Sequence, residues 1–280
     1  MPRWSIWVSA LVVGAAAVSA PAAEPGKDST VNAATLNLAL RSQKLVRDDK
    51  GYSVWKAETV ARTVRASETA LVLCDVWDKH WCRGANERLA AMLPRMNETV
   101  KAARAAGIAI IHAPSETMEF YKDSPARKRV QEAPAAKIPV TKKREAPALP
   151  VDASDQGSDT GEKTWYKAWS RQHPGIEIDE GRDGISDNGQ EIWNFMQARR
   201  IKNVVILGVH TNMCILNRSF AIKAMVERGV NVALVRDLTD AMYNPARSPY
   251  VSHEDGTRLV IEYIEKFWCP TITSEDLLKP

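Results

Sequence analysis

The chain has 280 residues, 45% of them hydrophobic and 26% charged, with a formal net charge of +4. That length accommodates one or two ordinary globular domains. So small a positive balance, with no nucleic-acid recognition motif, argues against nucleic acid as a partner.

The first segment reads as an export signal. Arg3 is the only charge before Glu24, and the apolar stretch WSIWVSALVVGAAAVSA follows it. Small residues at Ala20 and Ala22 then fit a cleavage site. The expected signal peptide is residues 1–23, which makes the mature protein secreted, in the periplasm or outside the cell. An uncleaved anchor is the other reading, although the run is short of the roughly 20 residues that a spanning helix needs. No membrane association is expected after cleavage. Export would permit disulfides among Cys74, Cys82, Cys214 and Cys269. Four cysteines allow three full pairings, and Cys82–Cys269 is a candidate bridge that leaves Cys214 for another task.

Residues 24–66 form an N-terminal extension. TLNLALRSQKLV (35–46) alternates apolar and polar residues, DDKG (48–51) supplies a turn, and YSVWKAETV can return as a second strand. This predicts a β-hairpin appended to a main domain over 67–280. ALVLC, IAIIHAP and NVVILGV are short continuous apolar runs, as expected of strands buried on both faces. A strand is also expected over IEIDE (176–180) and another over 230–237. Helices are expected at about 84–106, 188–201 and 253–268, and one from Asn212 to the stop signal at Gly229. Strands alternating with helices predict a three-layer αβα, Rossmann-like α/β domain around a mostly parallel central sheet. Residues 115–175 interrupt the alternation. The Lys-, Arg- and Pro-rich part over 125–148 is either a lid or a solvated loop, whereas the Asp-, Gly- and aromatic-rich part after it is expected to fold against something.

Ligands of open parallel sheets bind beyond the carboxyl ends of the strands. Asp75, Trp77 and His80 follow the first buried strand, and His210, Asn212 and Cys214 follow NVVILGV. Cys214 at the start of a helix is placed as a thiol nucleophile would be, because a helix N-terminus favours a thiolate. A small buried hydrophobe is the alternative use of such a cysteine. Asp75 could serve as its proton acceptor and donor, or only cap a turn. Backbone amides near 210 and 214 could hold an oxyanion. The aromatic turn WDKHWC (77–82) could line a pocket for a small planar group. DASDQGSD brings Asp152, Asp155 and Asp159 together, but its spacing does not fit a calcium loop, and a solvated acidic turn is the better reading.

ALVLCDVWD followed by VVILGVHTNMCILNRSFAIKAM resembles the isochorismatase-like cysteine hydrolases, which include the nicotinamidases. The resemblance implies the three-layer fold, Cys214 as nucleophile, Asp75 as acid and base, and an oxyanion hole from the amides of His210 and Cys214. It also implies a cis peptide just before His210. Two departures stand out. The family lysine, some 35–40 residues before the cysteine, falls at Asp179 or Glu180 here, and an acid there would raise the cysteine pKa. A substitute cation would have to come from Lys79, Lys163, Lys167, Arg171 or His210. Lys167 and Arg171 are preferred because WYKAWSRQHPG leads into that strand. The zinc-binding pattern of the nicotinamidases is also missing, since HAPSETMEF offers only His112, so neither metal nor other cofactor is expected.

The expected function is hydrolysis of a small amide or related C–N bond, with a small-molecule substrate and a homo-oligomeric state. His210, Asn212, Trp77 and His80 would bind or orient the substrate or the backbone around it. The alternative is a non-hydrolytic ligand-binding or interaction protein on the same fold, for which the acid in place of the lysine is the best support. A third reading, cleavage of a vinyl ether as by isochorismatases, would not always require the cysteine.

Overall fold

The computed structural model describes residues 34–141 and 143–279. The expected signal peptide over 1–23 lies outside the described residues. The elements run β1 (Thr35–Arg47), β2 (Ser53–Arg65), β3 (Thr69–Cys74), α1 (Arg83–Ala105), β4 (Ala109–Ala113), α2 (Pro125–Gln131), β5 (Gly184–Ile185) and α3 (Gly189–Ala198). They continue with β6 (Asn203–Val209), α4 (Cys214–Asn217), α5 (Ile222–Glu227), β7 (Asn231–Asp240), α6 (His253–Phe267), β8 (Thr271–Ile272) and α7 (Glu275–Leu278).

All eight strands form one sheet in the order β2-β1-β8-β7-β6-β3-β4-β5. The β1–β2 hairpin and the β1–β8 pair are antiparallel, and every other pairing is parallel. The apolar runs are continuous because β3 and β6 serve two cores at once. Ala70, Val72, Val204 and Ile206 face one hydrophobic cluster, whereas Leu71, Leu73, Val205 and Leu207 face the other. Helix α1 covers the second cluster with Leu89, Leu93 and Met96. Helices α3, α5 and α6 cover the first with Ile192, Met225 and Ile264. The expected three-layer α/β arrangement is therefore the observed one.

The hairpin is longer than the sequence suggests. Asp48 sets its turn by accepting from the amides of Lys50 and Tyr52, and Gly51 supplies the positive φ of 84°. Only Leu36, Leu38 and Val64 of the two strands enter the core. Further out, Arg41 pairs with Glu265, and Trp55 packs edge-on against Phe267 of α6.

Three expectations are corrected. IEIDE (176–180) is not a strand: β5 comes later, at Gly184–Ile185, and pairs with Ile111 and His112 of β4. The Asp183 carboxylate just before it is buried, bound by Arg104 Nε at 3.0 Å and by His112 Nε2 at 3.0 Å. Those bonds outweigh burial and hold Asp183 at a pKa of about 2. The segment after Asn212 is two short helices, because the chain leaves helical geometry at Arg218 (φ −60°, ψ 150°). Cys82 and Cys269 are free thiols in separate environments. Cys82 lies among Trp77, Trp81 and Trp169, and Cys269 lies in the core with Ile264 and Trp268.

The described residues of the insertion lie against the molecule on both sides of residue 142. Past α2, the amide of Ala136 donates to Asn194 Oδ1, Trp193 Nε1 donates to the Lys137 carbonyl, and Tyr263 donates to the Pro147 carbonyl. Its acidic part is consumed by capping and pairing. Asp152 caps Ser154, Asp155 accepts from Asn244, and Asp159 pairs with Arg88.

Strands β6 and β3 approach closely at Gly208, opposite Cys74. Its φ is +117°, and a Cβ there would lie 2.0 Å from the Cys74 carbonyl oxygen. Gly208→Ala combines disfavoured backbone geometry with a main-chain clash, together on the order of 3 kcal/mol. We expect its melting temperature to fall by roughly 10 °C, at about 2–4 °C per kcal/mol for a domain of this size. A melting curve superimposable on wild type would refute the close approach.

Candidate active site

The site lies at the carboxyl ends of β3, β4 and β6. Asp75 follows β3 directly, fully buried, with a left-handed φ of 50°. Asp tolerates that conformation better than most residues, and the turn aims its carboxylate back along the sheet edge. One oxygen accepts from the Ser115 amide at 2.8 Å, just past β4. The other accepts from Arg218 Nε at 2.9 Å. Arg218 lies four residues after Cys214, at the end of α4, so it returns to the same side as the cysteine. Its guanidinium also sits 3.6 Å from Glu116 Oε1 and 6.0 Å above the Trp77 ring.

Cys214 is half-buried and is the first residue of α4. Its N–H therefore lies outside the helix's own hydrogen-bond ladder. The peptide before His210 is cis, as the resemblance implies. The His210 carbonyl accepts from the amides of both Met213 and Ile215, which folds the turn tightly around the cysteine.

The charges of the three groups are coupled. Burial raises the Asp75 carboxyl, while the Arg218 guanidinium and hydrogen bonds from Cys214 and Ser115 draw it back down. Burial raises the Cys214 thiol strongly and the Asp75 charge raises it further, with Arg218 opposing. This reverses the sign expected from a helix N-terminus. Helix α4 has only four residues, so its dipole is small beside desolvation and a neighbouring carboxylate. Both effects favour the thiol over the thiolate.

The cavity beside these groups has a volume of ≈ 530 Å³. Trp77 and His80, both singled out in the sequence, line it together with Trp81, Trp165 and Trp169. Trp77 and Trp169 stack with ring centroids 4.0 Å apart and 11° between planes. His210 forms part of the wall, its ring edge-on to His80 at 4.8 Å. Burial holds both imidazoles neutral, lowering His80 to a pKa of about 4 and His210 to about 3.

Asn212 serves the backbone rather than the cavity. Its amide donates to the Met242 carbonyl and accepts from the Met242 N–H, clamping the chain that follows β7. Neither cation preferred from the sequence reaches Asp75. Lys167 Nζ donates to the Glu116 carbonyl at 2.6 Å, and Arg171 lies over the Phe120 ring. The partner of Asp75 is Arg218, which stands in plain view in the cysteine motif one helical turn on. Its i+4 spacing from Cys214 was the signal available in the sequence. Glu180, one of the two aligned positions, caps α2 instead by accepting from the Ala126 amide. His112 bonds to Gln172 and Asp183. Among the described residues, no group of three or more His, Cys, Asp or Glu is arranged to hold a metal ion.

The coupling predicts the pH dependence of Cys214 alkylation by iodoacetamide, mapped by mass spectrometry on the native protein. In wild type the labelling rate should rise only above the ~8.5 of a free thiol. Asp75→Asn removes the neighbouring negative charge and should move that rise to lower pH, whereas Arg218→Met should move it to higher pH. Identical profiles in all three proteins would refute the coupling.

A family model described as the isochorismatase domain matches residues 69–275. Similar solved structures include a cysteine hydrolase from Pseudomonas syringae pv. phaseolicola 1448A, 16% identical, covering 77% of this chain and 93% of that one with a TM-score of 0.48. An isochorismatase from Pseudomonas putida KT2440 is 12% identical, with coverages of 76% and 91% and a TM-score of 0.45. An isochorismatase family protein from Burkholderia thailandensis is 16% identical, with coverages of 76% and 97% and a TM-score of 0.44. No curated protein sequence matches the chain. With the family model spanning well over half of the sequence, from β3 to the start of α7, the chain belongs to the isochorismatase family.

Proposed function

We propose that the protein is a cysteine hydrolase of a small amide or related C–N bond, and that Arg218 supplies the positive charge that the family draws from a lysine. The observation that carries this reading is the contact of Arg218 with Asp75 beside Cys214. A buried carboxylate whose proton affinity is raised by burial and moderated by a guanidinium is suited to accept a proton, and the thiol beside it is the group that must lose one.

The reaction proceeds in two halves. Cys214 Sγ attacks the amide carbonyl carbon as its proton passes to Asp75. The amides of His210 and Cys214 hold the oxygen of the tetrahedral intermediate. Asp75, now protonated, gives that proton to the departing nitrogen, leaving a thioester on Cys214. Water attacks the thioester with Asp75 as base, and the acid is released with the thiol restored. Because the thiol is protonated at rest, the proton leaves during attack rather than before it. The positive charge of Arg218 stabilises whichever of Asp75 and Cys214 is negative at each stage. The neutral His210 and His80, with the tryptophan wall, keep the reacting carbonyl away from bulk water.

We further propose export of the mature chain after cleavage near residue 23, and a homo-oligomeric state. The N-terminal composition supports the first. The exposed outer strand β2, at one edge of the sheet, is compatible with the second.

Ammonia release from a panel of primary amides and carbamoyl compounds tests the reaction. Cys214→Ala should abolish turnover, and Asp75→Asn should lower kcat by about 10²-fold or more. In wild type, kcat/KM should rise with pH through the Asp75 pKa, because the ionised carboxylate is the active form. Burial places that acidic limb above the ordinary carboxylate range, and Arg218→Met should move it higher still by removing the charge that lowers it. Turnover that persists in Cys214→Ala would exclude the thiol mechanism. Ligand binding without turnover in wild type would favour a binding protein on this fold.

A further inference from the structure

The cavity beside Cys214 has a charge pattern that catalysis does not require. Among the described residues that line it, the charged ones are Arg218 and Glu116, 3.6 Å apart. Asp75 lies fully buried behind the wall and holds Arg218 Nε at 2.9 Å, so one guanidinium is divided between two carboxylates and leaves Glu116 incompletely neutralised. The imidazoles of His80 and His210 add no positive charge, being buried and neutral. Lys167 is turned to the Glu116 carbonyl and does not line the cavity.

Glu116 is held at this place. It has a left-handed φ of 65°, which side chains other than Gly, Asn and Asp seldom adopt. Three contacts fix it there: its N–H donates to Asp187 Oδ2 at 2.7 Å, its carbonyl accepts from Lys167, and its carboxylate reaches toward Arg218. The side chain remains about half exposed, at the cavity mouth. The indoles of Trp77, Trp81, Trp165 and Trp169 line the same cavity. Indole faces attract cations that are poorly hydrated, and a carboxylate at the rim adds a complementary charge. A substrate carboxylate would meet the reverse, having to displace Glu116 from Arg218 and to desolvate against tryptophan.

We propose that the site selects amides carrying a positively charged alkylammonium group and rejects amides carrying a carboxylate, with Glu116 as the residue that sets this preference. The inference builds on the hydrolase reading of the same site. It makes Glu116 a specificity residue, outside the proton transfers assigned to Asp75 and Cys214.

Three probes separate charge from shape. Trimethylammonioacetamide is cationic, 3,3-dimethylbutanamide is its neutral isostere, and malonamate is its anionic counterpart. Binding to full-length Cys214→Ala is measured by calorimetry and tryptophan fluorescence, and ammonia release by wild type is measured separately. The cation should bind about tenfold more tightly than the isostere, within the usual span of cation–π and rim-charge effects, and malonamate should not bind. In Cys214→Ala/Glu116→Gln the preference for the cation should shrink to about twofold or less. Equal or tighter binding of the neutral isostere, binding of malonamate, an unchanged preference without Glu116, or no binding of the cation would each overturn the proposal. If the cation binds with the stated preference but wild type releases no ammonia, the charge selection stands and the hydrolase reading fails.

Discussion

A fully buried carboxylate at the end of a central strand is the constraint on which the site is built. Asp75 has no exposure at all, and an isolated charge there would be strongly disfavoured. The fold compensates with one backbone amide, from Ser115, and one guanidinium, from Arg218. Each comes from a different part of the chain. Ser115 arrives from the end of β4 and Arg218 from the break between α4 and α5. Satisfying Asp75 therefore ties the ends of β3 and β4 to the break between α4 and α5, and it places the half-buried thiol of Cys214 beside that arrangement.

The aromatic side of the cavity is built by a second constraint, the return of the insertion. Asp78 accepts from the Ser170 and Arg171 amides and from the Ser170 hydroxyl, and the His173 amide donates to the Val76 carbonyl. These bonds lay residues 169–173 along the turn after β3 and bring Trp169 onto Trp77. Farther back, Arg88 of α1 grips Asp159 and Asp240 together, and Asp240 in turn accepts from His253. The bulge in the β6–β7 pairing between Ile206 and Gly208 carries Asp240 to the level of Val209. A loop rich in Asp and Gly looks solvated in the sequence because its partners, Arg88, Asn244 and Arg247, are far away along the chain.

This explains what could be read from the sequence and what could not. The buried strands, the cysteine turn and Asp75 rest on local signals: uninterrupted apolar runs, a glycine, and a polar residue at a strand end. The partnerships are nonlocal. β5 escapes a reading of the sequence because two paired residues leave almost no periodic signal, whereas IEIDE alternates like a strand while lying in a loop anchored by Asp179 and Asp183. Arg218 was overlooked for a different reason. The i+4 spacing puts it on the face of Cys214, but an arginine in an expected helix through 212–229 reads as an ordinary surface residue, and the preferred cations lie upstream of the cysteine. The break at Arg218 frees the side chain to turn back over Asp75. The sign of the Cys214 perturbation failed for the same reason, since the expected dipole belonged to a long helix that the chain does not form.

If Arg218 stands in for the lysine that the resemblance implies, as proposed, the exchange has physical consequences beyond replacing one charge with another. A lysine beside a buried carboxylate is a compact charge whose own pKa yields to burial, whereas a guanidinium stays charged and presents several donors in a plane. Arg218 uses that plane: Nε faces Asp75, Nη2 faces Glu116, and the flat group lies over Trp77. A single residue thereby touches the buried carboxylate of Asp75, the half-exposed one of Glu116 and the aromatic wall. Part of the charge that balances Asp75 is shared with Glu116, so any group that engages Glu116 alters how strongly Arg218 holds Asp75. A cation bound at the rim would weaken the hold of Glu116 on Arg218 and leave the guanidinium more fully available to Asp75 and Cys214. In the proposed mechanism substrate recognition and thiol activation are then linked through one side chain, a linkage that a lysine point charge reaching in from a separate strand would not provide.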